Sequence, residues 1–297
     1  MSNIHRKSFR LILFVLSRCR GKLRCLSYTI LLLTLAGPLA SVSNGDEIRE
    51  LSNGQKAVIY ASSAAVLSLG HFVERFGSDS IAADGYKPNG VDRWFRSQLR
   101  GRRARRARPS NFLDNDLGAL LTPLAAFSAI SVMDFSQREF SVDASLFMAG
   151  LATTKGVTDL VKSLSGRPRP YMMGIDPQRT PDRDHFRSFF SGHTSAAFYS
   201  ATFFNCRFRH YMRKNWTAEE YSWGRWLSPA ISFGWASIVG YSRIQADKHY
   251  FTDVMAAVLV GALCGELYYR WGRESDGSSS AGSQSAPILM IAFRFTR

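Results

Sequence analysis

Three polar clusters, each lying where a long apolar stretch ends, constrain what this chain can fold into. The first runs from Lys162 to Arg169 and Pro170, the second is Ser191, Gly192 and His193, and the third joins Ser242 and Arg243 to His249 and Asp253. The stretches around them, 57–70, 117–133, 141–163, 194–211, 227–241 and 250–271, carry helical apolar patterning, with Pro123 and Pro229 near the starts of two. Few segments alternate apolar and polar residues as strands do. The expectation is an all-α helical bundle with its active site at helix ends, where side chains and helix dipoles converge on one anion.

The residue types match phosphoryl chemistry. A transferring phosphoryl group spreads charge over its equatorial oxygens, so fixed cations and N–H donors aimed at them give the largest gain. Lys162, Arg169 and Arg243 supply cations, and an arginine fork donates two parallel hydrogen bonds to one phosphate. Ser191 and Gly192 precede a helical run whose N-terminus favours an anion. His249 is the candidate nucleophile, Asp253 one helical turn on is placed to hold its far ring nitrogen, and His193 is the candidate general acid and base.

Lysine, six residues, Arg-Pro, then Ser-Gly-His, then Ser-Arg, five residues, His, three residues, Asp: this order resembles the type 2 phosphatidic acid phosphatase (PAP2) family, which shares its site with vanadium haloperoxidases. The resemblance covers roughly residues 116–272 and implies the PAP2/haloperoxidase bundle. It also implies catalytic roles for His249, His193 and Asp253 and phosphate binding by Lys162, Arg169, Ser191, Gly192 and Arg243. One position departs from the pattern. Phe190 stands where proline is usual, which points to altered loop rigidity or substrate preference with activity retained.

Each cluster alone has a plainer reading. A histidine with an aspartate four residues on is ordinarily a surface or core pair, and Arg-Pro-Arg-Pro is ordinarily a solvated turn. Asp247, His249 and Asp253 lack the companion spacing of a metal site, so none is assigned. Asp182, Arg183, Asp184, His185 and Arg187 read as a solvated loop near the site mouth, with a choice among substrate head groups as the second reading. His71 reads as a helix-end residue.

The first forty-three residues hold seven Lys or Arg and no acid, followed by an apolar stretch and small residues. That order is the grammar of an export signal, with cleavage after Ser43 or retention as an anchor. Its loss lowers the net charge from +15 to +8. Eight arginines lie between Arg93 and Arg108. In an exported protein such a tract meets anionic lipid head groups rather than nucleic acid, at about 1 kcal/mol per basic residue. The expected location is the periplasm or cell envelope, with membrane association open.

Crossing a bilayer takes about 20 apolar residues as a helix. The charge-free runs 117–133, 226–242 and 254–265 fall short, and the mean hydropathy is only −0.12. They therefore read as core helices of a soluble bundle, with one or two spans left open. The chain divides into residues 1–43, a helix with the arginine-rich segment to 115, the phosphatase-like core 116–272, and a Ser/Gly-rich linker with a short apolar tail, 273–297. Of the cysteines after the leader, Cys206 and Cys264, the second lies in an apolar run that suits a buried free thiol.

Three functions follow. The leading one is a metal-independent phosphatase of the acid-phosphatase type, taking a lipid phosphate or small phosphoester through a phosphohistidine, without a cofactor and inhibited by vanadate. A vanadium-dependent haloperoxidase, with vanadate as cofactor, and a non-catalytic anion or lipid-binding protein are the alternatives. Haloperoxidases of this type are generally larger, and the intact histidine pair argues against mere binding.

Overall fold

The computed structural model describes residues 53–76, 86–100, 116–133, 137–173 and 183–271. The expected leader, the arginines from Arg102 to Arg108, Asp182, and the C-terminal linker and tail lie outside them. Seven α-helices follow in order: α1 (Asn53–Phe76), α2 (Gly90–Leu99), α3 (Asp116–Met133), α4 (Gln137–Ser165), α5 (Gly192–Asn215), α6 (Ala218–Gln245) and α7 (Phe251–Trp271). Short 3-10 turns occupy Pro170–Met172 and Arg183–Phe186. There is no strand among the described residues, in agreement with the all-α expectation.

Helix α5 is the axis of the bundle, packed against α3, α4, α6 and α7. Its Tyr199 and Phe203 meet Phe147 of α4 and Cys264 and Tyr268 of α7 in the main core. Close approach of α5 and α7 depends on glycine. A Cβ on Gly261 would lie 2.3 Å from the Ser195 carbonyl oxygen, and one on Gly265 would lie 2.7 Å from that of Tyr199. Neither Cys206 nor Cys264 forms a disulfide, and Cys264 is buried.

Two elements differ from the sequence reading. Helix α6 begins nine residues earlier than the apolar pattern alone indicates. A capping box starts it: the Thr217 hydroxyl accepts from the Glu220 N–H, and the Glu220 carboxylate accepts from the Thr217 N–H at 2.8 Å. Pro229 therefore lies well inside the helix. Helix α2 was not expected at all. It occupies the first part of the supposed arginine tract, is capped by the Asn89 side chain at 2.7 Å, and turns Arg96 and Arg100 inward onto Asp247.

Several large apolar residues of α6 are not core residues as expected, although Ala236, Val239 and Ile244 are buried. Trp223 (75 % exposed), Trp226, Leu227, Ile231 (63 %), Ile238 and Tyr241 stand on the surface, as do Met255, Leu259 and Leu263 of α7. Among the described residues, two stretches are long and apolar enough to cross a membrane, Gly54–Arg75 and Phe251–Trp271.

Replacing Gly261 by Val should destabilise the fold by about 1–3 kcal/mol, because the new side chain meets α5 backbone. A thermal midpoint equal to that of the unsubstituted protein would contradict this account of α5 and α7 packing.

Candidate active site

Backbone hydrogen bonds stitch the three clusters into one site. The Ser188 N–H donates to the Arg167 carbonyl at 3.0 Å, and the Arg169 N–H to the His185 carbonyl at 2.8 Å, tying the first cluster to the segment before the second. The Tyr171 N–H donates to the Asp247 carbonyl at 3.1 Å, and the Ser191 N–H to the Asp253 carbonyl at 3.3 Å, bringing in the third. The ends of α4 and α6 and the starts of α5 and α7 thus converge.

Ser191 is the N-cap of α5, its hydroxyl accepting from the Thr194 N–H. With its own N–H on Asp253, Ser191 holds the loop, and the Gly192 and His193 N–H groups on the first turn lack helical acceptors. A Cβ on Gly192 would lie 3.5 Å from Lys162 Nζ, so the ammonium sits beside the positive end of the α5 dipole. Arg169 and Arg243 are buried, while Gly192 and His193 are half-buried. Phe190 packs with Val66 of α1, Val157 of α4 and Ala257 of α7.

His249 is 2 % exposed and lies in the turn ahead of α7. Its Nδ1 is 2.7 Å from the Ser188 carbonyl oxygen. A carbonyl only accepts, so Nδ1 carries the proton and Nε2 of the neutral ring keeps its lone pair. Burial, followed by the positive charges of Arg169, Arg243 and Lys162, pushes the His249 pKa well below the usual 6.5.

Asp253 stands differently from its expected place as direct partner. Its Oδ2 is 3.8 Å from His249 Nδ1, too long for a hydrogen bond. Because His249 precedes the helix, the one-turn spacing does not make the two side chains neighbours on a helical face. Asp253 instead accepts the Tyr250 N–H at 2.8 Å and the Ser188 hydroxyl at 2.5 Å, and pairs with Arg167.

Around this centre Asp184, His185 and Arg187 of the charged loop are paired, which corrects the solvated reading for these three, although the Asp184 side chain remains exposed. Arg169 donates from Nη2 to an Asp184 carboxylate oxygen at 2.6 Å and from Nε to the Asp184 carbonyl at 2.7 Å. His185 Nδ1 lies 2.8 Å from the Tyr171 hydroxyl, and Arg187 pairs with Glu74 of α1. Glu74 also lies 3.7 Å from His71 Nδ1, on the last turns of α1. Asp247, weighed as a metal ligand, instead receives a two-pronged contact from Arg96, both distances 2.7 Å. Its φ of 59° is a left-handed conformation that aspartate tolerates, and it turns the chain toward His249. Arg167, Ser188, Asp92 and Arg96 were not singled out from sequence. Only Arg167 carried a signal, its place inside the first cluster.

Residues 143–276 match the sequence profile of the PAP2 superfamily. The PAP2 match begins within α4 and covers every residue of the three clusters. Phospholipid phosphatase 2 of Bos taurus is 29% identical over 147 residues, 42% of this chain and 49% of that protein. Its counterpart in Homo sapiens is 31% identical over 144 residues, 41% of this chain and 48% of the relative. Lipid A 1-phosphatase of Porphyromonas gingivalis is 32% identical over 120 residues, 40% of this chain and 22% of that protein. The matched stretch spans about half the length of these phospholipid phosphatases. No solved structure matches the chain.

The lowered His249 pKa has a consequence for stability. Below pH 6.5 the unfolded chain takes up a proton at this histidine that the folded chain refuses, so stability falls as pH drops. His249→Gln should flatten the decline of the thermal midpoint between about pH 6.5 and 5. An unchanged slope would mean that His249 is protonated in the folded protein.

Proposed function

We propose that this chain is a lipid phosphate phosphatase that works through a phosphohistidine at His249. The observation that carries the reading is the Nδ1 bond to Ser188, which leaves Nε2 as a lone-pair donor among Lys162, Arg169 and Arg243. In the first step Nε2 attacks phosphorus, a P–N bond forms, the P–O bond to the leaving group breaks, and His193 protonates the departing alkoxide. In the second step His193 takes a proton from water as the water oxygen attacks phosphorus, the P–N bond breaks with its electron pair returning to Nε2, and phosphate is released from the restored neutral imidazole. The three cations and the α5 N-terminus hold the equatorial oxygens throughout. For Arg169 this means exchanging the Asp184 carboxylate for substrate phosphate. The reaction as written needs no cofactor, and vanadate, in the shape of pentacoordinate phosphate, should inhibit it.

The lipid class rests on the phospholipid phosphatase relatives and on the outer face of α6. From Trp223 to Tyr241 the helix rises about 27 Å, close to the ~30 Å hydrocarbon core of a bilayer. Aromatic side chains stand at both ends of that interval and Leu227, Ile231 and Ile238 between them, the order found in interfacial belts. We infer that the bundle associates with a membrane through this face and through α1 and α7, the two described helices long and apolar enough to span one, with Arg93 exposed on α2 for anionic head groups. Export, the finer part of this placement, rests on the N-terminal segment alone.

Purified protein with chelator present should release phosphate from a phosphomonoester and lose that activity with vanadate. His249→Ala should reduce turnover to background, and His193→Ala should slow it by about 10²–10⁴-fold. Full activity in His249→Ala would overturn the mechanism. For the membrane placement, lipids brominated along their acyl chains should quench the fluorescence of an Ile231→Trp variant that carries no other tryptophan, since Ile231 is exposed in the middle of that face. Absence of quenching in reconstituted vesicles would exclude a lipid-facing α6.

A further inference from the structure

Arg167 lies two residues before Arg169, yet its side chain is directed to other partners. Nε donates to the Tyr86 hydroxyl at 2.6 Å, Nη2 to Asp92 Oδ2 at 2.6 Å, and Nη1 to the Thr252 hydroxyl at 2.9 Å and to the Asp253 carboxylate. Its guanidinium carbon lies 4.3 Å from the centre of the Tyr250 ring and 5.5 Å from that of Tyr86. Every guanidinium nitrogen is therefore engaged by protein, and the group is not presented to a phosphate. Asp92, fully buried on α2, also accepts the Thr252 N–H at 2.9 Å and the Thr252 hydroxyl at 2.8 Å, capping α7 from another element.

We propose that Arg167 and Asp92 are positioning residues for the His249 nucleophile, acting through Asp253 and Ser188 without touching substrate. This rests on the reading of His249 as nucleophile. The connections form a closed circuit. The Arg167 guanidinium holds Asp253, Asp253 accepts the Ser188 hydroxyl, and the Ser188 N–H returns to the Arg167 carbonyl. The Ser188 carbonyl, fixed by that circuit, is the acceptor that sets the His249 tautomer and ring plane. Asp92 holds the other prong of Arg167 and the first turn of α7, so α2 contributes to the site from outside the three clusters.

Charge makes the chain testable. The groups around His249 are Lys162 on α4, Arg169 on the following loop, Arg243 on α6 and Asp253 on α7, with His193 on the first turn of α5. Arg167 offsets Asp253 and Asp92 together. Removing the cation favours protonated His249, whereas removing the Asp92 charge disfavours it.

The test uses the full chain in detergent or vesicles, with a phosphomonoester and with melting temperature measured in parallel. Arg167→Gln should lower kcat by about ten- to a hundredfold, the range for residues that orient a functional histidine. KM should change less than about twofold, because the phosphate-holding residues are untouched. Arg167→Lys should recover part of kcat. The acid limb of the pH profile should move to higher pH in Arg167→Gln and to lower pH in Asp92→Asn. If Arg167→Gln does not fold, Arg167→Lys and Asp92→Asn carry the test. Wild-type kcat in folded variants, or a rise in KM that accounts for the lost kcat/KM, would overturn the positioning role. Activity surviving in His249→Ala would overturn the nucleophile and this inference together. An inactive His249→Ala beside a fully active Arg167→Gln would defeat the inference alone.

Discussion

Repulsion among Lys162, Arg169 and Arg243, gathered around one buried imidazole, is the constraint on which the rest of the structure depends. Like charges in a weakly screened site oppose the folding that brings them together, and something must offset them. Three features do so. The Asp184 carboxylate takes Arg169, Asp253 stands behind His249, and the imidazole remains neutral. An anion placed among these cations would supply the negative charge that this arrangement lacks, so an assembly that is costly to form would favour anion binding.

Holding such a site demands rigid helix ends, and the bundle provides them by close packing. Gly261 and Gly265 let α7 lie against α5, which brings the turn bearing His249 within hydrogen-bond reach of Ser188. Ser191 caps α5 and anchors to Asp253, so the start of one helix is registered on the start of the other. Helix α2 adds a second layer. Its Asp92 and Arg96 reach the loops on either side of His249, and Arg167 is clasped between two carboxylates and two tyrosine rings. A short peripheral helix thereby bears on the geometry around His249.

Much of the site was legible in sequence because its chemistry requires particular residue types at fixed local spacing. Helix positions were legible too, since apolar periodicity marks them directly, as for α3, α4, α5 and α7. The start of α6 was missed because its signal is the Thr217 and Glu220 capping box, a polar signature ahead of the apolar run. Helix α2 was missed because Arg96 and Arg100, part of a tract that read as facing lipid head groups, turn inward once Asp247 lies opposite. The α6 apolar face was misjudged because composition reports how apolar a segment is, not which neighbour covers it.

By itself the sequence determined an all-α chain with three clusters of phosphate-compatible residues, since helical periodicity and local spacing are properties of contiguous residues. Only tertiary structure decided how His249 is held. His249 bonds to the backbone of Ser188, and Asp253 turns to Arg167, because His249 lies two residues ahead of the helix that carries Asp253. The physical reason is that a hydrogen bond depends on sub-ångström placement across elements far apart in the chain, and residue spacing along one strand of sequence carries no such distance.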